Sequence, residues 1–385
     1  MEHIYNCTGH KLKIPNIVDS QGVYLFDARG NRYMDLESGV WATSLGHNNK
    51  EINSVITNQI NTLMHAGFCY SNVILEESAK SVLDITKFKG GKCVFLCSGG
   101  EAIEISRQIA KHLTGKSLSM TLHDSYLGAY ASVTDRSKDW YVFNWEKCQT
   151  CRKDIDCDPL CEALRKIPGD ISDFVFEPGS SSGFVRFPPK AMIQNIARIV
   201  RNNGGKIIAN EVTTGVGRTG LWFGFQHYGI EPDLIALGKG IGTGYPVSVA
   251  VINKAAIDEL ERKPFKYSQS HQNDPLGAAV VHMVIKEIKK GDLITKAGEK
   301  GTKFLAQLMS LVDNKTVLAV RGRGLMFCMD MADKDITEKI YTDLIERGYI
   351  VGNRGSSLRI DPPLIITESE FNGFIDAFKI VLHSR

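Results

Sequence analysis

Apolar and polar positions follow two different periods along the chain. Near the N-terminus, residues 22–33 are typical of a hairpin, with a strand around Val23 and Leu25 and a turn at residues 28–31. Apolar residues at positions 52, 55, 56, 60 and 63 recur at helical spacing and predict an amphipathic helix over about 50–64. Another helix is predicted over about 73–86.

From about residue 92, short apolar stretches alternate with helical patterns. The stretches are residues 93–97, 118–122, 173–178, 206–212, 233–238 and 247–252, and helices are predicted over 101–113 and 191–203. This alternation is typical of an α/β protein with a doubly wound, mainly parallel sheet. Ligands bind at the carboxyl ends of the strands in such sheets, and glycine-rich or polar turns follow several of these stretches.

After about residue 258 the pattern changes to a long helix over 276–290, a strand-like stretch at 323–331 and a helix near 335–347. A chain of 385 residues exceeds what one compact core usually holds. We therefore predict a large domain over 48–258 and a C-terminal part over 259–385 that includes a smaller α+β domain. Residues 1–47 are predicted to join the smaller domain.

Composition and charge exclude several classes of partner. The net charge of +3 argues against nucleic acid or an anionic membrane as the main partner. No run of about 18 apolar residues exists, so no membrane span is predicted. Residues 1–16 lack the apolar core of a signal peptide, and the nine cysteines are therefore expected to be thiols in a reducing cytoplasm.

Lys239 is the first candidate for chemistry. It follows an apolar stretch and stands among glycines at positions 238, 240, 242 and 244. Burial there would favour the neutral, nucleophilic amine that condenses with an aldehyde. The alternative is a solvated lysine in a glycine-rich turn. A second candidate is Gly99-Gly100, between a strand and a helix, where exposed backbone N–H groups can bind phosphate, or where the chain simply turns.

These features resemble a known family when taken together. Their order and spacing are similar to those of the class III (ornithine/4-aminobutyrate-type) pyridoxal-phosphate aminotransferases of fold type I. The most specific part is IIANEVTTGVGRTGLWFGFQHYGIEPDLIALGKGIGTGYP at residues 207–246. The resemblance implies pyridoxal 5'-phosphate as cofactor, and transfer of an amino group from an amino acid or ω-amino acid to a 2-oxo acid.

The resemblance also implies roles for residues around the cofactor. Lys239 matches the lysine that forms the Schiff base, and Gly99 and Gly100 match the phosphate-binding turn. Tyr126 matches the ring that stacks on the pyridine, and Val212 the residue on its opposite face.

Four further positions concern the partner subunit and the substrate. Ser270 falls where the family has a threonine that reaches the phosphate of the neighbouring subunit, which implies a homodimer with shared active sites. Glu177 matches a glutamate near the substrate, and Arg359 the arginine that binds the substrate carboxylate bidentately. Trp41 falls at a pocket-lining position. The alternatives without a functional role are a surface arginine for Arg359 and a core aromatic for Trp41.

Two positions depart from the family pattern. Asn210 stands where the family has the aspartate that keeps the pyridine nitrogen protonated, and Thr213 replaces a glutamine. Asparagine can donate its NH₂ to an unprotonated nitrogen, so a weaker electron sink is predicted. Three explanations stay open: a natural Asn210 with chemistry adapted to it, for instance racemisation; an engineered substitution that slows turnover; or cofactor binding with little catalysis. An aminotransferase is therefore predicted, with a racemase or epimerase and a weakly active cofactor-binding protein as alternatives.

Four cysteines form a C-x₂-C-x₅-C-x₃-C pattern at Cys148, Cys151, Cys157 and Cys161. Four thiols within fourteen residues can hold zinc or an iron–sulfur cluster. The spacing is not that of a standard finger, so free thiols are favoured and no metal ligand is predicted.

Overall fold

The computed structural model describes residues 3–5, 7, 12–67, 69–149, 151 and 157–384. Within them, the strands form three sheets. In chain order the strands are β1 (Ile17–Gln21), β2 (Tyr24–Asp27), β3 (Arg32–Asp35), β4 (Lys92–Leu96), β5 (Leu118–Leu122), β6 (Trp140–Phe143), β7 (Ile171–Phe176), β8 (Lys206–Asn210), β9 (Leu234–Leu237), β10 (Ser248–Ile252), β11 (Val317–Arg323), β12 (Met326–Met331), β13 (Tyr349–Ile350), β14 (Gly352–Arg354) and β15 (Ser357–Ile360).

Helices connect most of these strands. In chain order they are α1 (Ser38–Trp41), α2 (Lys50–Thr62), α3 (Val73–Thr86), α4 (Gly99–Thr114), α5 (Ala131–Thr134), α6 (Glu146–Gln149), α7 (Glu162–Arg165), α8 (Lys190–Asn202), α9 (Lys254–Arg262), α10 (Pro275–Lys290), α11 (Leu293–Met309), α12 (Lys334–Glu346) and α13 (Glu368–His383). Two short 3₁₀ turns cover Gly224–Tyr228 and Lys239–Ile241.

The central sheet has seven strands in the order β4-β10-β9-β8-β7-β5-β6. Strands β5 to β9 pair in parallel, and only β10 runs antiparallel to its neighbours β9 and β4. The predicted α/β fold with a mainly parallel, doubly wound sheet is therefore confirmed. The parallel arrangement brings the carboxyl ends of β5, β7, β8 and β9 to one edge of the sheet.

Helices cover both faces of this sheet, which explains the continuous apolar runs in its strands. Successive residues alternate between the two faces. Phe174 and Phe176 of β7 join a core cluster that includes apolar residues of α8 and α10. Val175 joins the other cluster, with apolar residues of α4 and α9.

The predicted N-terminal hairpin is present as β2 and β3, with its turn between Asp27 and Arg32. Strand β13 from the C-terminal part pairs in parallel with β3 and completes the sheet β1-β2-β3-β13. The third sheet, β11-β12-β15-β14, is antiparallel. The division into domains after residues 47 and 258 stays a prediction.

The long helix α10 packs on α2 and α3, so this part of the chain contacts the first helices as well as the central sheet. A search of the described residues for a membrane-crossing helix finds none of sufficient length and apolar character.

Candidate active site

A cavity of about 370 Å³ lies at the carboxyl ends of the parallel strands. Turns after β5, β8 and β9 and the start of α4 form its wall. Seven of the predicted residues line it together: Gly99, Gly100, Tyr126, Asn210, Val212, Thr213 and Lys239.

The wall at the start of α4 is built for close approach to the backbone. A Cβ on Gly99 would lie 2.5 Å from Cγ1 of Val212, and one on Gly100 would lie 3.1 Å from the Tyr130 ring. The hydroxyl oxygen of the N-cap residue Ser98 accepts a hydrogen bond from the N–H of Glu101. The first N–H groups of a helix have no partner within it, so those of Gly99 and Gly100 are available to an anion.

Lys239 begins the turn after β9 in a left-handed conformation, with φ of 47°. Its Nζ donates to Oγ1 of Thr213 at 2.8 Å and lies 4.9 Å from the centre of the Trp41 ring. Burial lowers the pKa of the Lys239 amine to about 8. The Glu177 carboxylate opposes this shift, whereas the Arg359 guanidinium adds to it.

Glu177 follows β7 and is buried. It accepts hydrogen bonds from the backbone N–H of Tyr126 at 2.9 Å and from the hydroxyl of Ser181 at 2.5 Å. Burial raises the pKa of this carboxyl to about 7, although both hydrogen bonds and the charge of Lys239 act in the other direction. The carboxyl therefore positions Tyr126 and adds negative charge beside Lys239.

Asn210 ends β8 and is also buried. Its Nδ2 donates to the carbonyl of Tyr126 at 2.9 Å, and its Oδ1 accepts from the N–H of Val212 at 3.3 Å. Exchanging the amide oxygen and nitrogen would place like groups against each other at both contacts, so the two backbone groups determine the amide orientation.

Arg359 of β15 contacts the Trp41 ring, which Lys239 also contacts. The Arg359 guanidinium is 4.2 Å from the centre of that ring. One of its nitrogens donates to Oε1 of Glu37 at 2.6 Å. A Cβ on Gly352 would lie 2.6 Å from its Nε, so the guanidinium occupies a narrow slot between an aromatic ring and backbone.

The turn that carries Glu37 and Trp41 has an unusual backbone. Ser38, Gly39, Val40 and Trp41 all have positive φ, between 50° and 65°. Left-handed backbone costs roughly 1–2 kcal/mol per L-residue, and Val40 is β-branched. The hydroxyl of Ser38, which donates to the carbonyl of Asp361 at 2.5 Å, helps to hold this turn.

Three contributors were not predicted from the sequence. Glu37 pairs with Arg359 across 322 positions of the chain. Asp361 and Arg218 are buried beside the same site, and burial raises the pKa of Asp361 to about 7 against the charges of Arg359 and Arg218. The sequence does contain a signal for Asp361: an acidic residue inside an apolar stretch, two positions after Arg359, indicates a buried carboxyl near the arginine.

Ser270 is not part of this cavity in its own chain. It is exposed, in the segment 263–274 between α9 and α10.

All nine cysteines lie in the described residues and are free thiols. Cys148, Cys157 and Cys161 pack against the main core cluster. In the described part of the chain, no three of the four clustered thiols have sulfur atoms within 4.8 Å of one another.

Comparison with known proteins identifies the family of the chain. A family model described as "Aminotransferase class-III" matches residues 5–382. A Pyrococcus furiosus protein assigned as a LysW-aminoadipate semialdehyde/glutamate semialdehyde transaminase is 30% identical over 373 residues, covering 95% of this chain and 96% of that protein. An acetylornithine aminotransferase of Methanosarcina mazei is 29% identical over 366 residues, covering 93% of this chain and 89% of that protein.

A solved amine transaminase from an uncultivated Pseudomonas species, in a PLP-bound form, matches with a TM-score of 0.89. It is 21% identical and covers 99% of this chain and 98% of its own, which supports the fold.

Proposed function

Because the chain belongs to the aminotransferase class-III family, we propose that it moves an amino group from an amino acid or ω-amino acid to a 2-oxo acid, with Lys239 as its catalytic residue. The enzyme depends on pyridoxal 5'-phosphate. The observation that carries the assignment of Lys239 is its buried amine, with a lowered pKa, in the same cavity as the glycine start of α4. The nine free thiols support a cytoplasmic location.

The residues of the cavity fit this cofactor. The free N–H groups of Gly99 and Gly100 suit its phosphate, and side chains at these two positions would fill the space. Tyr126 and Val212 line the cavity as apolar surfaces suited to a flat ring. The volume of about 370 Å³ falls in the range of small-molecule sites, roughly 300–1,000 Å³.

Bound pyridoxal phosphate supplies an aldehyde that captures the amino nitrogen and a ring that accepts electrons from the donor carbon. Lys239 is proposed to hold the cofactor. As a free amine it would then move a proton from Cα of the amino donor to C4′, the carbon of the cofactor's aldehyde. A pKa of about 8 suits this work, since roughly a tenth of the amine is then neutral at pH 7, far more than for a lysine in water. The hydroxyl of Thr213 orients the amine.

The function is tested by mixing the cofactor-loaded protein with single amino acids in the absence of a 2-oxo acid. We expect one donor to yield its oxo acid in an amount equal to the protein, with a change in the visible band of the cofactor. Lys239→Ala should abolish both. Lys300→Ala is the matched control, because this half-buried lysine bonds to the carbonyls of Leu364 and Ile366 away from the cavity.

Loss of optical rotation without oxo acid would instead identify a racemase. The absence of both changes with every donor would leave only cofactor binding, and either result would overturn the proposal.

Arg359 is proposed to bind the carboxylate of the substrate. Its guanidinium already donates to Glu37, so an incoming carboxylate has to compete with that side chain for the guanidinium. The Trp41 ring contacts both cations: its centre lies 4.2 Å from the Arg359 guanidinium and 4.9 Å from Nζ of Lys239. Glu177, which positions Tyr126, is proposed to lie near the substrate.

Glu37→Gln is expected to lower the KM for the 2-oxo acid about fivefold, because a neutral amide competes for Arg359 less strongly than a carboxylate by roughly 1 kcal/mol. Steady-state kinetics with the oxo acid as varied substrate provide the measurement. An amine donor without a carboxylate should keep its KM. Glu261→Gln, which removes the charge from the exposed pair with Lys92, is the control. An unchanged KM for the oxo acid would show that Glu37 does not compete with the substrate carboxylate for Arg359.

Asn210 is proposed to face the ring nitrogen of the cofactor. One N–H of its Nδ2 donates to Tyr126, and the other is available to a ligand in the cavity that Asn210 lines. A nitrogen that accepts this hydrogen bond has to be unprotonated. An aspartate in the same orientation would place a carboxylate oxygen about as close to the Tyr126 carbonyl oxygen as Nδ2 now lies, 2.9 Å.

The protonation state can be measured by nitrogen NMR after loading the protein with pyridoxal phosphate labelled at the ring nitrogen. We expect the signal of an unprotonated nitrogen at pH 7 in the natural protein and that of a protonated nitrogen in Asn210→Asp. The apo form of this variant should lose about 1–3 kcal/mol of stability, since a buried acceptor loses its donor.

Asn195→Asp is the matched control, because this buried amide also donates to a backbone carbonyl, that of Cys157, outside the cavity. The control should leave the ring signal unchanged. A protonated ring nitrogen in the natural protein would refute the assignment of Asn210.

A homodimer with shared active sites is also proposed. Ser270 is exposed and absent from the cavity of its own chain, as expected for a residue that serves a partner's cofactor phosphate.

Dimers that combine a Lys239→Ala subunit with a Ser270→Ala subunit test this arrangement. If Ser270 acts on the partner's site, one site of each mixed dimer has both residues intact, so half of the cofactor should dissociate at the natural rate. The two parent variants should lose all of it faster. If no cofactor in the mixed dimer dissociates at the natural rate, Ser270 does not act across the interface.

A further inference from the structure

Two histidines and an aspartate meet outside the cavity already described. Nδ1 of His65 lies 2.5 Å from Oδ1 of Asp274, and Nδ1 of His271 lies 2.6 Å from Oδ2 of the same carboxylate. The ligand atoms of the three residues all lie within 4.8 Å of one another. His65 comes from the segment between α2 and α3, whereas His271 and Asp274 precede α10, so the cluster joins segments about 200 residues apart.

The carboxylate is held in place, but not by the helix that it precedes. Asp274 is the N-cap of α10, yet its side chain makes no capping hydrogen bond. An aspartate at this position usually caps, and losing that bond costs about 1 kcal/mol. The neighbouring Asn273 fixes the backbone by exchanging two hydrogen bonds of 2.9 Å with Phe95 on the edge of β4. The carboxylate is therefore directed at the two imidazoles from a rigid support.

The donor set has the chemistry of a transition-metal site. Two imidazole nitrogens and one carboxylate are ligands that zinc and related ions prefer. Both rings point Nδ1 inward, and within the described residues neither Nε2 has a protein partner, so each Nε2 is free to carry the ring proton in water. We propose that His65, His271 and Asp274 bind one divalent transition-metal ion of the zinc class.

The surroundings leave room for the rest of a coordination sphere. A cavity of about 220 Å³ adjoins the cluster and is lined by His271 and Asp274 together with Cys97 and Tyr245. Three protein ligands leave a fourth position for water, which such a cavity can hold. A bound ion would also connect residues 63–67, which follow α2, to the segment that carries Ser270, next to His271. None of the three ligands lines the cavity that contains Lys239, so the proposal does not depend on the aminotransferase assignment.

The test is a zinc titration of the chelator-treated, cofactor-loaded protein against a coloured competing chelator. We expect one Zn²⁺ per chain, with binding weakened at least about 100-fold in His271→Ala and in Asp274→Asn, each of which removes a direct ligand. His65→Gln, on the other segment, should have the same effect and serves if another variant fails to fold. His112→Ala is the matched control, because this half-buried histidine lies outside the cluster, where its Nε2 bonds to the carbonyl of Lys263.

Cobalt distinguishes this site from the cysteines. Co²⁺ bound here should show visible bands without the near-ultraviolet band of thiolate ligation, and Cys148→Ser should not alter the stoichiometry. Zinc binding that survives His271→Ala and His65→Gln, or that depends on Cys148, would overturn the proposal. So would the absence of binding, which would leave a hydrogen-bonded histidine–aspartate–histidine cluster only.

Discussion

The buried amine of Lys239 is the constraint on which the rest of the site depends. Taking an ammonium out of water is costly, and the structure meets this cost by lowering the pKa of the amine to about 8 and by placing Glu177 and Asp361 nearby. The same carboxyls are buried, so their own pKa values are raised to about 7. Neutral and charged forms are therefore close in free energy, which is the condition for moving protons near neutral pH.

Part of the backbone strain lies at the same place. Lys239, Trp41 and Val216 all have positive φ, although none of them is glycine. Such conformations persist only where packing determines them, and they cluster at sites that position side chains. Here the hydroxyl of Ser44 donates to the carbonyl of Gly240, and the hydroxyl of Thr243 accepts from the N–H of Leu45. The N-terminal segment thus supports both the turn of Trp41 and the turn of Lys239.

Sequence patterns predicted most of the elements, and together with the family resemblance they predicted a group of residues that share one cavity. The helix predicted over 73–86 occurs as α3 (Val73–Thr86), because its periodicity is a local property of the chain. Gly99, Gly100 and Lys239 were also predictable, because glycines and a lysine stand where strands end. The pair of Glu37 with Arg359 was not, since it joins residues 322 positions apart and depends on a left-handed turn that no local pattern indicates. The pairing of β13 with β3 has the same long-range origin.

The structure gives a physical reason for Asn210 that the sequence did not. The peptide groups on both sides of Tyr126 are held by buried side chains: its N–H donates to Glu177, and its carbonyl accepts from Asn210. Only a donor can serve the second contact. An ionised aspartate there would offer no hydrogen and would add another buried negative charge close to Glu177, whose pKa burial already raises to about 7. Asparagine donates to the carbonyl without adding a charge. The same amide therefore accounts for the position of Tyr126 and for the unprotonated ring nitrogen that is proposed for the cofactor.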